Sequence, residues 1–162
     1  MGSPKILIVM GVSGCGKSTI GKLLARELML PYFDGDDFHP KENVAKMSNG
    51  EPLTDVDREG WLMALNALAK KNTDKGAVIA CSALKEVYRS ILQDKIDPYV
   101  RYIYLEGTYD EINQRMQERK DHFMPTELLK SQFATLEPPK KALRVSIKNL
   151  PEEIVKDILK QL

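Results

Sequence analysis

Two cysteines and two histidines are all that this 162-residue chain offers to a disulfide framework or a soft-metal site. Cys15 and Cys81 lie far apart with no C-x-x-C spacing, so neither a disulfide scaffold nor a cysteine-bound metal is indicated, and both are expected as reduced thiols. With only His39 and His122, a multi-histidine metal centre is excluded as well. Charge of one sign is equally scarce. Twenty-four Lys and Arg face 23 Asp and Glu for a net charge of +1, which leaves no basic excess to hold nucleic acid or a membrane surface. Any anion site must therefore be local. No apolar run approaches the roughly 20 residues needed to span a bilayer. The start carries no signal-peptide core, and Ile6 stands where N-myristoylation requires Ser or Thr. Repeats, low-complexity tracts and linkers are missing too. The expectation is one domain over residues 1–162, in the cytoplasm, with no nucleic-acid or membrane partner.

What is present begins at Gly11-Val12-Ser13-Gly14-Cys15-Gly16-Lys17-Ser18-Thr19, directly after the apolar run Lys5–Met10. This is G-x-x-x-x-G-K-[ST] between a predicted buried strand and a predicted helix, the context in which the pattern makes a phosphate cradle. Its glycines let several N–H groups face one anion, and the helix N-terminus adds the positive end of its dipole. Lys17 is expected on the β- and γ-phosphates of a nucleotide and the Ser18 hydroxyl on Mg²⁺. Cys15, among inward-facing amides, sits where a thiol's pKa is lowered. A small residue that merely fits is the other reading of Cys15.

Strand-like and helix-like segments alternate along the rest of the chain. Strands are predicted at Lys5–Met10, Tyr32–Asp36, Ala77–Ser82, Val100–Glu106 and Ala142–Ile147. Helices are predicted at Lys17–Leu30, Arg58–Lys71, Lys85–Gln93, Tyr109–Arg119, Thr126–Glu137 and Pro151–Leu162. Such alternation calls for a parallel sheet covered by helices on both faces, with ligands at the carboxyl ends of the strands. Polar clusters fall at three such ends: Asp34-Gly35-Asp36-Asp37, Cys81-Ser82 and Glu106-Gly107.

A cradle alone suits a GTPase switch, a motor or a small-molecule kinase. The guanine-selecting N-K-x-D is missing, and a motor core does not fit this length. Asp34 and Asp36, alternate residues of a strand, would face one site together. Asp34 is the candidate to hold Mg²⁺ and Asp36 the group that orients or deprotonates an acceptor hydroxyl; a polar turn or helix cap is the alternative. Arg58 offers a planar fork for a carboxylate. Lys85 and Arg89, at i and i+4, form either a second cationic face or two ordinary surface charges. The polar stretch Arg119–Pro125 between two helices is where a closing lid belongs, or an ordinary connection.

Taken together, Gly11–Thr19, Asp34-Gly35-Asp36 with His39-Pro40, Asn43 through Leu53, Asp55, Asp57-Arg58 with Trp61-Leu62, Cys81 through Lys85 with Tyr88-Arg89, His122-Phe123, and Ser131-Gln132-Phe133 with Leu136-Glu137 resemble the gluconokinases of the small P-loop, shikimate-kinase-like type. The resemblance covers about residues 6–140. It implies a three-layer α/β/α fold with a five-stranded parallel sheet and a small lid at about residues 119–126. It also implies ATP-dependent phosphorylation of D-gluconate at its 6-hydroxyl, with ATP and Mg²⁺ bound, and homodimers as the common assembly. By the same resemblance Gly11–Thr19 hold the phosphates, Asp36 meets the acceptor hydroxyl and Arg58 its carboxylate. His39, Lys85, Arg89, His122 and Gln132 complete the sugar-acid site, and Arg115 and Arg119 fit the lid arginines; what selects the purine base beyond backbone contacts near Glu137–Lys141 is left open. Asp121 departs from the family pattern, which has Gly there. The rival readings are a kinase for another small metabolite and a nucleotide-binding regulator without catalysis.

Overall fold

The computed structural model describes residues 5–118 and 126–162. Five parallel strands, β1 (Ile6–Met10), β2 (Tyr32–Asp34), β3 (Ala77–Ala80), β4 (Val100–Glu106) and β5 (Leu143–Ser146), lie in the order β2-β3-β1-β4-β5. The central strand β1 is Ile-Leu-Ile-Val-Met and buried throughout, as a strand covered on both faces must be. Its register sets Ile6 opposite both Ala77 of β3 and Val100 of β4.

The connections follow from right-handed crossovers. The chain moves one way from β1 to β2, so α1 (Lys17–Leu28) covers one face, where α7 (Pro151–Gln161) packs beside it. It moves the other way from β2 through β5. That sends α3 (Asp55–Lys71) and its partner α4 (Glu86–Leu92), then α5 (Tyr109–Glu118) and α6 (Thr126–Thr135), to the opposite face. The result is the three-layer sandwich expected from the alternation of elements. α7 shows why its sequence is helical: Pro151 opens it, Glu152 and Glu153 occupy its first turn, and Ile154, Val155 and Ile158 are its buried stripe.

Several boundaries differ from the sequence expectation, each for a local reason. β2 ends at Asp34 rather than Asp36, because the Asp34 carboxylate accepts the Asp36 N–H at 3.0 Å and turns Gly35–Phe38 into a short 3₁₀ helix. Helix α1 stops at Leu28, where Met29 takes a left-handed conformation (φ 57°). Helix α3 begins at Asp55, three residues before the Arg58 start read from the sequence, because Thr54 and Asp57 form a reciprocal capping box. A helix not expected at all, α2 (Lys41–Ser48), follows the 3₁₀ turn. It buries only Asn43, so it lacks the apolar periodicity that would have shown it in the sequence. The lid at Arg119–Pro125 lies outside the described residues.

Candidate active site

The phosphate loop joins β1 to α1 at the carboxyl edge of the sheet. Gly11 stands at φ 148°, and a Cβ there would lie 2.7 Å from Cys15 Sγ and 3.0 Å from the Leu105 carbonyl, so only glycine lets the chain leave the strand this way. Gly16 is the N-cap of α1 at φ 100°; it supplies no side-chain cap, and no acid stands in the first turn. The helix therefore presents uncapped N–H groups and an uncompensated positive dipole end, an arrangement fitted to an anion. Lys17 folds over the loop, its Nζ donating to Gly11 O at 2.9 Å and Val12 O at 3.1 Å. Of the two readings of Cys15, the structure favours the small residue that fits. It is buried, and loss of solvent pushes its thiol upward in pKa against the opposing Lys17 charge. It is a packing residue of the loop and not an activated thiol.

Ser18 and Asp34 meet as expected, with Ser18 Oγ donating to Asp34 Oδ2 over 3.3 Å. The Tyr32 hydroxyl, beside Ser18, is buried with no hydrogen-bond partner among the described residues. Two hard oxygen donors beside an unpartnered hydroxyl suit Mg²⁺, which keeps waters and phosphate oxygens as its other ligands. Among the described residues no cluster of three or more His, Cys, Asp or Glu forms an all-protein metal site.

Between the phosphate loop and α3 lies a cavity of about 190 Å³ lined by Ser13, Lys17, Asp36, His39, Arg58, Trp61, Ser82, Leu84 and Gln132, among others. Asp36 reaches it from the 3₁₀ turn and not, as the strand reading had it, from alternate positions beside Asp34. Its side chain is 83% exposed. Its pKa is nevertheless raised, by loss of solvent in the cleft first and by the charges of Asp34 and Asp37, while Lys17 pulls the other way. That openness limits what desolvation can contribute.

His39 stacks on Trp61 with ring centroids 4.0 Å apart. Burial, then the Arg58 charge, lowers its pKa to about 4, so the ring is neutral near neutrality. The amide nitrogen of Asn43 donates to Asp57 O and lies 3.2 Å from His39 Nδ1. An amide nitrogen can only donate, which assigns the ring proton to Nε2, 3.9 Å from Asp36 Oδ1.

The three expected cations do not act together. Arg58 lines the cavity, its guanidinium donating to Leu53 O at 2.7 Å and the Tyr88 hydroxyl at 2.9 Å while lying over the Tyr88 ring. Lys85 instead pairs with Asp55 at 3.1 Å, and Asp55 also receives the Tyr88 hydroxyl. Arg89 is buried, its guanidinium spent on the carbonyls of Ala83 at 2.6 Å and Glu137 at 2.9 Å. The helix starts after Lys85, its extended N-cap, and the two side chains go to different partners. Neither of these expected sugar-acid residues lines the cavity; both have partners within the protein.

Gln132 lines the cavity but spends its amide on the phosphate loop. Ser13 N–H donates to Gln132 Oε1 at 2.7 Å, and Gln132 Nε2 donates to Ser13 Oγ at 3.0 Å. Arg115 donates to Ile147 O and borders a smaller cavity of about 90 Å³ with Gly16, Thr19, Asn149 and Pro151. Glu137 is held against the start of α4 through Leu84 O and Glu86 N, on the acceptor side of the cleft. Arg119 and His122 lie outside the described residues. Sequence reasoning missed Trp61, Leu53 and Ser131 as cavity walls. Apolar and small polar side chains carry no chemical signal of their own.

A phosphate loop at the end of a parallel strand, opening on an acid-bearing cavity, defines a small-molecule kinase of the P-loop class. The family model described as shikimate kinase matches residues 13–162. The probable gluconokinase of Mus musculus is 45% identical over 174 aligned positions, covering 94% of this chain and 95% of its own. The thermoresistant gluconokinase of Escherichia coli (strain K12) is 46% identical, over 83% of this chain and 77% of its own. The crystal structure of a gluconokinase from Sinorhizobium meliloti 1021 superposes with a TM-score of 0.88 at 38% identity, covering 97% and 90% of the two chains. The chain belongs to the gluconokinase family.

Proposed function

We propose that the protein transfers the γ-phosphoryl group of ATP to the 6-hydroxyl of D-gluconate, giving 6-phospho-D-gluconate and ADP. The observation that carries this reading is the cavity in which Lys17, Asp36 and Arg58 meet, with a transfer group at one end and a carboxylate receptor at the other. Gluconate, with one carboxylate and several hydroxyls, matches that spacing of cation and acid.

In this mechanism the nucleotide phosphates rest on the amides of residues 11–19, and the base extends toward the small cavity bordered by Arg115, Thr19 and Pro151. Ser18 and Asp34 hold Mg²⁺, which supplies charge neutralisation on the phosphates when bound. Arg58 receives the gluconate carboxylate with the part of its fork not held by Leu53 and Tyr88. Asp36 accepts a hydrogen bond from the 6-hydroxyl. As the bond from O6 to phosphorus forms and the bond to the β,γ-bridging oxygen breaks, the hydroxyl proton passes to the Asp36 carboxylate and ADP carries off the electron pair. A raised pKa at Asp36 improves its match to that role. Lys17 and the α1 dipole stabilise charge on the transferring group. Neutral His39, with its proton on Nε2, adds a donor facing Asp36 and the acceptor. Pairing of two copies is part of the same proposal, to be checked by sedimentation.

The test is an ADP-release assay with Mg-ATP and either gluconate, shikimate, AMP or no acceptor. Release that requires gluconate is expected. Release with shikimate discards gluconate as the acceptor, release with AMP discards the Arg58 carboxylate site, and ATP binding without release for any acceptor overturns the kinase reading.

A further inference from the structure

The Ser13–Gln132 pair is not what a substrate ligand requires. A side chain reserved for a sugar acid would leave its amide open to the cavity, whereas both functional atoms of Gln132 are bonded to one residue of the phosphate loop, 2.7 Å from its N–H and 3.0 Å from its Oγ. Ser13 lies between the left-handed glycines Gly11 and Gly14 and has little backbone stiffness of its own. It also lines the acceptor cavity.

The helix that carries Gln132 is anchored just past its C-terminal end. Just beyond α6, Glu137 N–H donates to Leu84 O at 2.7 Å, the Glu137 carboxylate accepts from Glu86 N–H at 2.9 Å, and Arg89 donates to Glu137 O at 2.9 Å. Leu84 is itself a cavity wall, as are Leu128 and Ser131 of α6. The short stretch from Gln132 to Glu137 thus links the tip of the phosphate loop at Ser13 to the acceptor wall at Leu84, and an acceptor that fills the cavity presses on the element that sets the Ser13 peptide.

We propose that Gln132 is a positioning residue for phosphoryl transfer. It holds the Ser13 peptide at the seam between the phosphate loop and the acceptor cavity, so that nucleotide affinity depends on whether the acceptor is bound. The inference rests on gluconate being the acceptor. Linkage makes the effect reciprocal: gluconate must tighten the nucleotide by the same factor as the nucleotide tightens gluconate.

The experiment measures the Kd of a non-hydrolysable ATP analogue with Mg²⁺, with and without saturating D-gluconate, by titration calorimetry. In the unaltered protein the ratio of the two constants is expected to be at least about fivefold. In Gln132→Leu the ratio is expected to fall within about twofold of one, with kcat reduced more than the KM for gluconate. Ser13→Ala, which keeps the bond from the residue 13 N–H and loses only the one to Oγ, is expected to give an intermediate ratio, and it decides the matter if the Gln132 variant does not fold. An unaltered ratio in either folded variant, or no coupling in the parent protein, overturns the proposal. So does a Gln132→Leu protein whose gluconate affinity falls in the absence of nucleotide while the ratio holds, the signature of a simple substrate ligand. Loss of gluconate turnover in the parent protein would instead remove the substrate reading on which the proposal stands.

Discussion

The indole nitrogen of Trp61 donates to the carbonyl oxygen of Gly35 at 2.7 Å, tying α3 to the residue just before Asp36. The same indole stacks on His39. One aromatic side chain thus fixes two polar residues of the cavity at once. Trp61→Phe keeps much of the stack but leaves a buried carbonyl without its donor, at a cost of about 1–3 kcal/mol. Urea denaturation should show that loss, and kcat should fall with it because Asp36 is no longer held in place.

Gly35 has no room for a side chain. A Cβ there would sit 2.5 Å from the Ala80 carbonyl, a backbone atom of the neighbouring strand. Gly35→Ala must therefore displace the turn that carries Asp36. A thermal melt should show destabilisation of about 1–3 kcal/mol, and kcat/KM for gluconate should drop even where the protein remains folded.

His39 gives the protein a specific pH dependence. Its folded-state pKa of about 4 lies below the unfolded value, so between about pH 4 and 6.5 the unfolded chain binds the extra proton. Stability contributed by the neutral ring is therefore complete above about pH 6.5 and is lost as pH falls toward 4, by ~3 kcal/mol at most. The raised pKa of Asp36 acts in the opposite sense near the lower end of that window. Comparing denaturation of the parent protein and His39→Gln across pH 4–7 isolates the histidine, and a difference between them that does not change with pH would refute the assignment.

Arg58 is held by a carbonyl, a hydroxyl and an aromatic face, a setting shaped for a planar fork. Arg58→Lys keeps the charge and loses the geometry. The KM for gluconate should rise about tenfold, equivalent to roughly 1.4 kcal/mol, while the KM for ATP moves little. Steady-state kinetics with each substrate varied in turn would separate the two.

Lys17 and Asp36 should fail differently. Lys17→Ala removes charge from the transferring group and should lower kcat by about 10²–10³ with a circular dichroism spectrum like that of the parent. Asp36→Asn removes the proposed proton acceptor and should lower kcat by about 10²–10⁴ while nucleotide affinity is retained. Wild-type turnover in the asparagine variant would assign the base elsewhere.

The alternating strands and helices, the phosphate loop and the meeting of Ser18 with Asp34 were all legible in the sequence. Each rests on general rules: a continuous apolar run for a doubly covered strand, glycines where the chain must turn left-handed, and the carboxyl edge of a parallel sheet, where β1 and β2 both end. The acceptor side was legible only in part. Asp36, His39 and Arg58 do reach one cavity, but Lys85, Arg89 and Gln132 have other partners, most of them 30 to 119 positions away in the chain. Residue type says that an arginine can bind a carboxylate; it does not say whether main-chain carbonyls claim the arginine first. Helix α2 escaped notice for a related reason, since it buries almost nothing. What the sequence determined by itself was the fold class and the phosphate site, because they depend on short-range backbone geometry and periodicity. Which polar side chains face the acceptor was decided only by tertiary structure, because hydrogen-bonding capacity is finite and distant segments compete for it.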